Sequence, residues 1–181
     1  MTADTNPMIA LHNAYVRGDI EAIRALMGEP DDFPNSRGPM AVGEIVLEYA
    51  IYWSPFAAIK RLLEMGANPN YGAAGGAADG LSHAGFPSLI AALSAQRRTE
   101  EDKLAIIELL LAFGADIQQR GHNDWTPLHW AAANNQPDAV ALLLKHGADP
   151  QARTRIDECE TPIEGAERAG LTDVVRRLRG S

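Results

Sequence analysis

Thr126-Pro127-Leu128-His129-Trp130-Ala131-Ala132 is the stretch whose reading decides the fold. Thr126 is a good helix N-cap, because its hydroxyl accepts from a backbone N–H of the first turn. Pro127 suits the first helical position, where its missing N–H has no partner to lose. His129, three residues after the threonine, is placed to exchange a hydrogen bond with it. Leu128, Ala131 and Ala132 put one bulky and two small residues on a stripe that a neighbouring helix can approach closely. Beyond Asn134 and Asn135, residues 137–146 predict a second helix, with Val140, Leu143 and Leu144 at three- and four-residue spacing. Gly147 ends it, since glycine takes the left-handed conformation of a helix stop at little cost.

This succession of turn, short helix, loop, longer helix and glycine stop resembles one ankyrin repeat, whose signature Thr-Pro-Leu-His-x-Ala the chain matches residue for residue. A solenoid requires the same unit several times. Gly114-Ala115-Asp116 and Gly147-Ala148-Asp149 are 33 residues apart, the family's period, and Gly66-Ala67-Asn68 precedes the former by 48, or 33 plus 15. The resemblance implies an all-α solenoid of stacked helix-turn-helix units with β-hairpin fingers. It forms a single domain of five units at 7–33 (N-terminal cap), 40–70, 86–118, 125–151 and 161–180 (C-terminal cap), with insertions at 71–85 and 94–103.

The weaker units depart from the rule in readable ways. Ala10-Leu11-His12-Asn13-Ala14 echoes Pro127-Leu128-His129-Trp130-Ala131, and Gly18-Asp19 suits the inter-helix turn of a first unit. The second unit has Ile45-Val46 where Thr-Pro belongs, so its first helix, near residues 41–52, has no evident cap. Residues 71–85 hold five glycines and five alanines, cannot bury enough surface to order themselves, and read as a long, mobile hairpin finger. The third unit starts at Phe86-Pro87-Ser88-Leu89, and Thr99 with Asp102 reads as a capping box for its second helix. The fifth recovers Thr161-Pro162 but has Glu164 at the histidine position. Its last helix carries Asp173, Arg176, Arg177 and Arg179, the polar outer surface of a terminal cap.

Composition narrows the function classes. The 181 residues are 46% hydrophobic but only 6% aromatic, which suits a thin layered core. A net charge of −8 argues against binding a phosphate backbone, which needs a basic face, and favours a partner protein with a basic surface. The lone Cys159 allows no internal disulfide and no zinc quartet, which points to a reducing compartment. The opening residues lack a basic and an apolar signal region. Residues 104–113, the most apolar window, are too few to span a bilayer and contain Glu108. A soluble, cytoplasmic monomer is expected, with no membrane or nucleic-acid partner.

No constellation asks for catalysis, a cofactor or a metal. His12 and His129 stand at the family's structural histidine position. Cys159 lies between Glu158 and Glu160, whose charges disfavour a thiolate. The glycine-rich run is not followed by Gly-Lys-Ser/Thr. Glu100-Glu101-Asp102 complements a helix N-terminus. The resemblance therefore implies a non-enzymatic interaction module that uses hairpin tips and the exposed side of each first helix. Register places His122, Asn123 and Trp125 at the fourth hairpin, Asp157, Glu158 and Glu160 at the fifth, and His83 on the long finger. It places Arg17, Tyr52, Trp53, Ser94, Asn134 and Arg168 on first-helix exposed positions. For Tyr52, Trp53 and Trp125 local packing competes with partner contact, and for Trp130 core packing is the better reading. Small acidic ankyrin proteins also resemble the immunity proteins of bacterial toxin systems, which implies toxin neutralisation as one specific role. A regulatory adaptor is the alternative, and an enzyme or cofactor binder built on the glycine-rich finger a remoter one.

Overall fold

The computed structural model describes residues 6–37, 45–71, 86–121, 124–155 and 159–180. Ten α-helices among them fall into five consecutive pairs. These are α1 (Pro7–Arg17) with α2 (Ile20–Leu26), α3 (Val46–Trp53) with α4 (Phe56–Glu64) and α5 (Ser88–Ser94) with α6 (Glu100–Ala112). Then come α7 (Pro127–Ala133) with α8 (Pro137–Lys145) and α9 (Pro162–Arg168) with α10 (Thr172–Arg179). The first helices α1, α3, α5, α7 and α9 touch one another in that order, and α4, α6, α8 and α10 do the same in a second layer. The fold is the expected all-α repeat stack.

One alanine position explains how closely the first layer packs. Ala14, Ala50, Ala92, Ala131 and Ala166 occupy the same register in the five units, and all are sealed from solvent. A methyl group at each crossing lets neighbouring helix backbones approach, which a larger side chain would prevent. The leucines at the register of Leu128, namely Leu11, Leu47 and Leu89, fill the space beside them. The second layer is held by Ile59, Leu62, Ile106, Ile107, Leu110, Val140, Leu143, Val174 and Leu178.

Helix starts divide as the sequence predicts. Thr126 and Thr161 each form a reciprocal capping box, with His129 and Glu164 as the respective partners, whereas Ile45 and Pro87 provide no side-chain cap. Thr99 caps α6 through the Asp102 N–H at 3.1 Å, a one-sided bond rather than the expected box. Gly66, Gly114 and Gly147 all have φ between 85° and 95°, the left-handed stop. The second unit's first helix starts at Val46 rather than near residue 41.

The tips of the expected fingers, at 72–85, 122–123 and 156–158, lie outside the described residues; among the described ones no β-strand occurs, and Arg37 with Ile45 forms an isolated antiparallel bridge. The loops return through single backbone bonds, Gly121 N–H to the Trp125 carbonyl at 2.9 Å and Thr154 N–H to the Glu160 carbonyl at 3.1 Å. Side chains close the turns that lead into these loops. Asn68, Asp116 and Asp149 accept from Asn70, Gln118 and Gln151 at 2.9, 2.8 and 2.8 Å, forming Asx turns. Asparagines then tie unit to unit. Asn35 bonds the Gly66 carbonyl and the Asn68 N–H, and Asn70 bonds the Gly114 carbonyl and the Asp116 N–H. The glycine-rich stretch 72–85 lies outside the described residues.

The insertion at 94–103 has a structural task. It delivers Arg98 to the C-terminal end of α3, where Nε donates to the Ile51 carbonyl at 2.6 Å and Nη2 to Ser54 at 2.5 Å and Ala50 at 3.3 Å. It also starts α6 fourteen residues before its glycine, against ten for α4 and α8, one extra helical turn.

Candidate functional site

The first-helix face carries two aromatic groups. At the N-terminal end the His12 ring meets Trp53 edge-on at 4.8 Å and bonds the Tyr49 hydroxyl through Nδ1 at 2.9 Å, while Tyr15 and Tyr49 rings lie 4.6 Å apart. Arg97 sets its guanidinium 4.6 Å from the centre of the Trp53 ring, a cation–π contact. Tyr52 reaches the next unit, its hydroxyl 3.0 Å from the Ser94 hydroxyl, which itself donates to the Ala91 carbonyl. In the middle of the stack, Trp130 lies between Phe86, at 5.4 Å, and Trp125, at 6.0 Å.

A slot of about 200 Å³ opens between α7 and α9. Ala133, Gly165, Ala166 and Ala169 form its apolar lining, Trp125 one wall, and the Glu160–Arg168 pair part of its rim. Arg168 holds Glu160 in a bidentate pair at 2.8 and 2.9 Å, which keeps that carboxyl below its usual range. His129 links the units beneath. The Thr126 N–H donates to His129 Nδ1, which leaves Nε2 protonated to donate to the Glu160 carbonyl at 3.1 Å. Burial lowers the pKa of this imidazole, so the neutral ring is favoured.

The loops beside the slot are tied by charge. Asp124, whose side chain is only 8% exposed, accepts from Arg155 through both its backbone N–H and its guanidinium, and from Arg120 at 2.7 Å. These bonds, the Arg155 side chain's first, bring its carboxyl down to about 2. Arg153 pairs with Glu164 at 2.8 Å, holding that carboxyl low as well.

Of the residues singled out in the sequence, Trp125, Glu160 and Arg168 come together at the slot. Tyr52, Trp53 and Ser94 share the N-terminal aromatic group. Arg17 and Asn134 stand exposed at the ends of α1 and α7, apart from both, with the Asn134 amide donating to the Trp130 carbonyl at 2.9 Å. His83, His122, Asn123, Asp157 and Glu158 lie outside the described residues. His12 departs from its expected role. It packs among aromatic rings and bonds Tyr49, because α1 begins upstream at Asn6, whose side chain caps it through the Met8 N–H, and asks nothing of the histidine. Arg97 was missed, since nothing local places a loop cation over a ring in another unit. Gly165 was missed too, although register makes it the counterpart of Trp130 and would have exposed it. No group of three or more histidine, cysteine or acidic side chains able to hold a metal ion occurs among the described residues, and no described helix is long and apolar enough to cross a membrane.

Comparison with known proteins agrees with the geometry. Residues 85–179, just over half the chain, match the family model described as "Ankyrin repeats (3 copies)". The chain is 41% identical over 95 residues to mouse protein phosphatase 1 regulatory subunit 27, covering 52% of this chain and 58% of that protein. It is 39% identical over 67 residues to zebrafish protein fem-1 homolog A (37% and 11%), and 37% identical over 60 residues to human 2-5A-dependent ribonuclease (33% and 8%). The chain thus spans between 8% and 58% of these relatives' lengths, so the resemblance is to their repeats.

Proposed function

Because the chain belongs to the ankyrin-repeat family, we propose that it is a non-enzymatic binding module that grips one partner protein on its first-helix face and adjoining loops. The carrying observation is the half-buried aromatic strip, Tyr52, Trp53 beneath Arg97, then Phe86, Trp130 and Trp125, on a scaffold whose largest fully buried side chains are aliphatic apart from Tyr15 among the described residues. Tryptophan, tyrosine and arginine left partly open are the residue types that dominate interface energies. The net charge of −8 supports a partner with a basic surface, and the reading takes the chain as a cytoplasmic monomer.

The regulatory version draws on the phosphatase relative, a regulatory subunit by name. Toxin neutralisation is the narrower alternative; it rests on acidity alone, and the relatives above come from vertebrates. Affinity capture with the full chain as bait, followed by mass spectrometry, separates them by whether the captured protein is toxic. Trp53→Ala and Trp125→Ala should each weaken capture by about 2 kcal/mol, roughly 30-fold, with helical content unchanged. Normal binding by both variants refutes the face assignment. Saturable thermal stabilisation by a nucleotide, or stoichiometric bound metal, would refute the non-enzymatic reading.

A further inference from the structure

Three first-helix crossings are bridged by an aromatic side chain; the fourth, joined beneath by His129 to the Glu160 carbonyl, shows no such ring among the described residues. Between α1 and α3 stand His12, Tyr49 and Trp53. Between α3 and α5, Tyr52 spans to Ser94. Between α5 and α7, Phe86 meets Trp130. Counting from the start of each first helix, Trp125 is the equivalent of Phe86, and Gly165 the equivalent of Trp130. Trp125 therefore faces a glycine where its counterpart faces an indole, and the slot of about 200 Å³ is the missing ring.

We propose that this slot receives a tyrosine side chain from the partner, an inference that rests on the first-helix face being the docking face. Size fits, because a cavity of about 150 Å³ already accommodates benzene. Charge selects among large side chains. Glu160 and Arg168 satisfy each other at the rim, so a lysine or an aspartate would have to break that pair to find its own. A phenol needs no such exchange: its ring lies against Trp125 and the small residues of α9, and its hydroxyl finds the Glu160 carboxylate or the Arg168 guanidinium. The chain uses the same solution internally, with Tyr49 and Tyr52 each carrying a ring into a crossing and a hydroxyl to a neighbouring unit.

The test titrates N-acetyl-tyrosinamide into the isotopically labelled full chain and follows amide and indole resonances. Saturable shifts at Trp125, Ala133, Gly165 and Ala169 are expected, with N-acetyl-leucinamide and N-acetyl-lysinamide at least tenfold weaker. Gly165→Trp supplies the missing ring from within and should abolish the shifts. Its glycine has ordinary φ, and an added Cβ would meet only Glu160 Oε2 at 3.5 Å. Should that variant lose helical content, Ala133→Leu fills the slot from the other side and serves instead. Absent shifts, equal binding of the lysine amide, or full binding to a folded slot-filling variant overturns the proposal. Such a result leaves the docking face to the Trp53 and Trp125 capture experiment, which probes the face without needing the slot filled.

Discussion

Replacing Arg98 by methionine keeps the length of the side chain and removes its donors. The last carbonyls of α3 have no glycine stop, since Ser54 follows in an extended conformation, and among the described residues the side chain that binds the Ile51 and Ser54 oxygens is Arg98. A hydrogen bond to a charged group contributes about 1.5–3 kcal/mol. Two short ones are set against the cost of burying the guanidinium, visible in its lowered pKa, which burial causes. The net loss should be about 2–3 kcal/mol. At this chain length each kcal/mol moves the melting point by about 2–4 °C, so a fall of roughly 4–12 °C is expected by calorimetry. Arg98→Lys should recover less than half, because a point charge cannot span two carbonyls as a planar fork does. Arg97→Met, one residue away, loses only the contact on Trp53 and should cost about 0.5–1 kcal/mol. An Arg98→Met protein within about 0.5 kcal/mol of the parent would refute the reasoning, showing that water serves those carbonyls equally well.

Asp124 titrates lower folded than unfolded, so its contribution is present above pH 4 and lost as pH falls toward 2. The shift from 3.8 to about 2 corresponds to about 2 kcal/mol, and Asp124→Asn should flatten urea stability against pH across that window. Asn70→Ala removes both bonds to the next unit, at 2.9 and 2.6 Å, and should cost about 1–3 kcal/mol with faster amide exchange around Asp116 and less change in α9 and α10. Gly165→Ala should raise stability by about 0.5–1 kcal/mol in denaturant titration, since this helical glycine has an ordinary φ and room for a methyl group.

What could be read from the sequence was what repeats. Thr126 to Ala132 fixed the cap, the proline and the alanine crossing in one unit. Aligning Pro87-Ser88-Leu89 and Ile45-Val46 on Thr126-Pro127 carried that register to units with poor signatures, which is why Ala50 and Ala92 fall where Ala131 does. What could not be read depends on partners in other units. Arg97 and Arg98 are neighbours in a loop, yet one stacks on Trp53 and the other ends α3, a division set by where α3 stops. The turns leading into the loops have a local cause: Asn68, Asp116 and Asp149 each close an Asx turn on the amide two residues on. Of the face, the large residues were legible from register and the slot was not, because it comes from a glycine opposite a tryptophan rather than from any side chain.

The histidine position shows how far the repeats can differ while the stack survives. His129 donates through Nε2 to the carbonyl ahead of the next first helix. Glu48, at the same register, is buried and accepts the Phe86 N–H at 2.9 Å, the same link with donor and acceptor exchanged. Glu164 turns back on the Thr161 N–H and pairs with Arg153. Ile90 stands at the same register in α5 and is buried, so the position does not demand a polar side chain; where it carries one, the polarity of the partner on the next loop matches histidine or glutamate. Gly165 is equally unforced. A tryptophan is accommodated at the equivalent place in α7, so a glycine in α9 is not forced by close backbone approach, and its added Cβ would touch only a movable carboxylate. The opening beside Trp125 is thus a feature the scaffold permits without requiring, which makes it a stronger pointer to a partner than the capped and stapled residues around it.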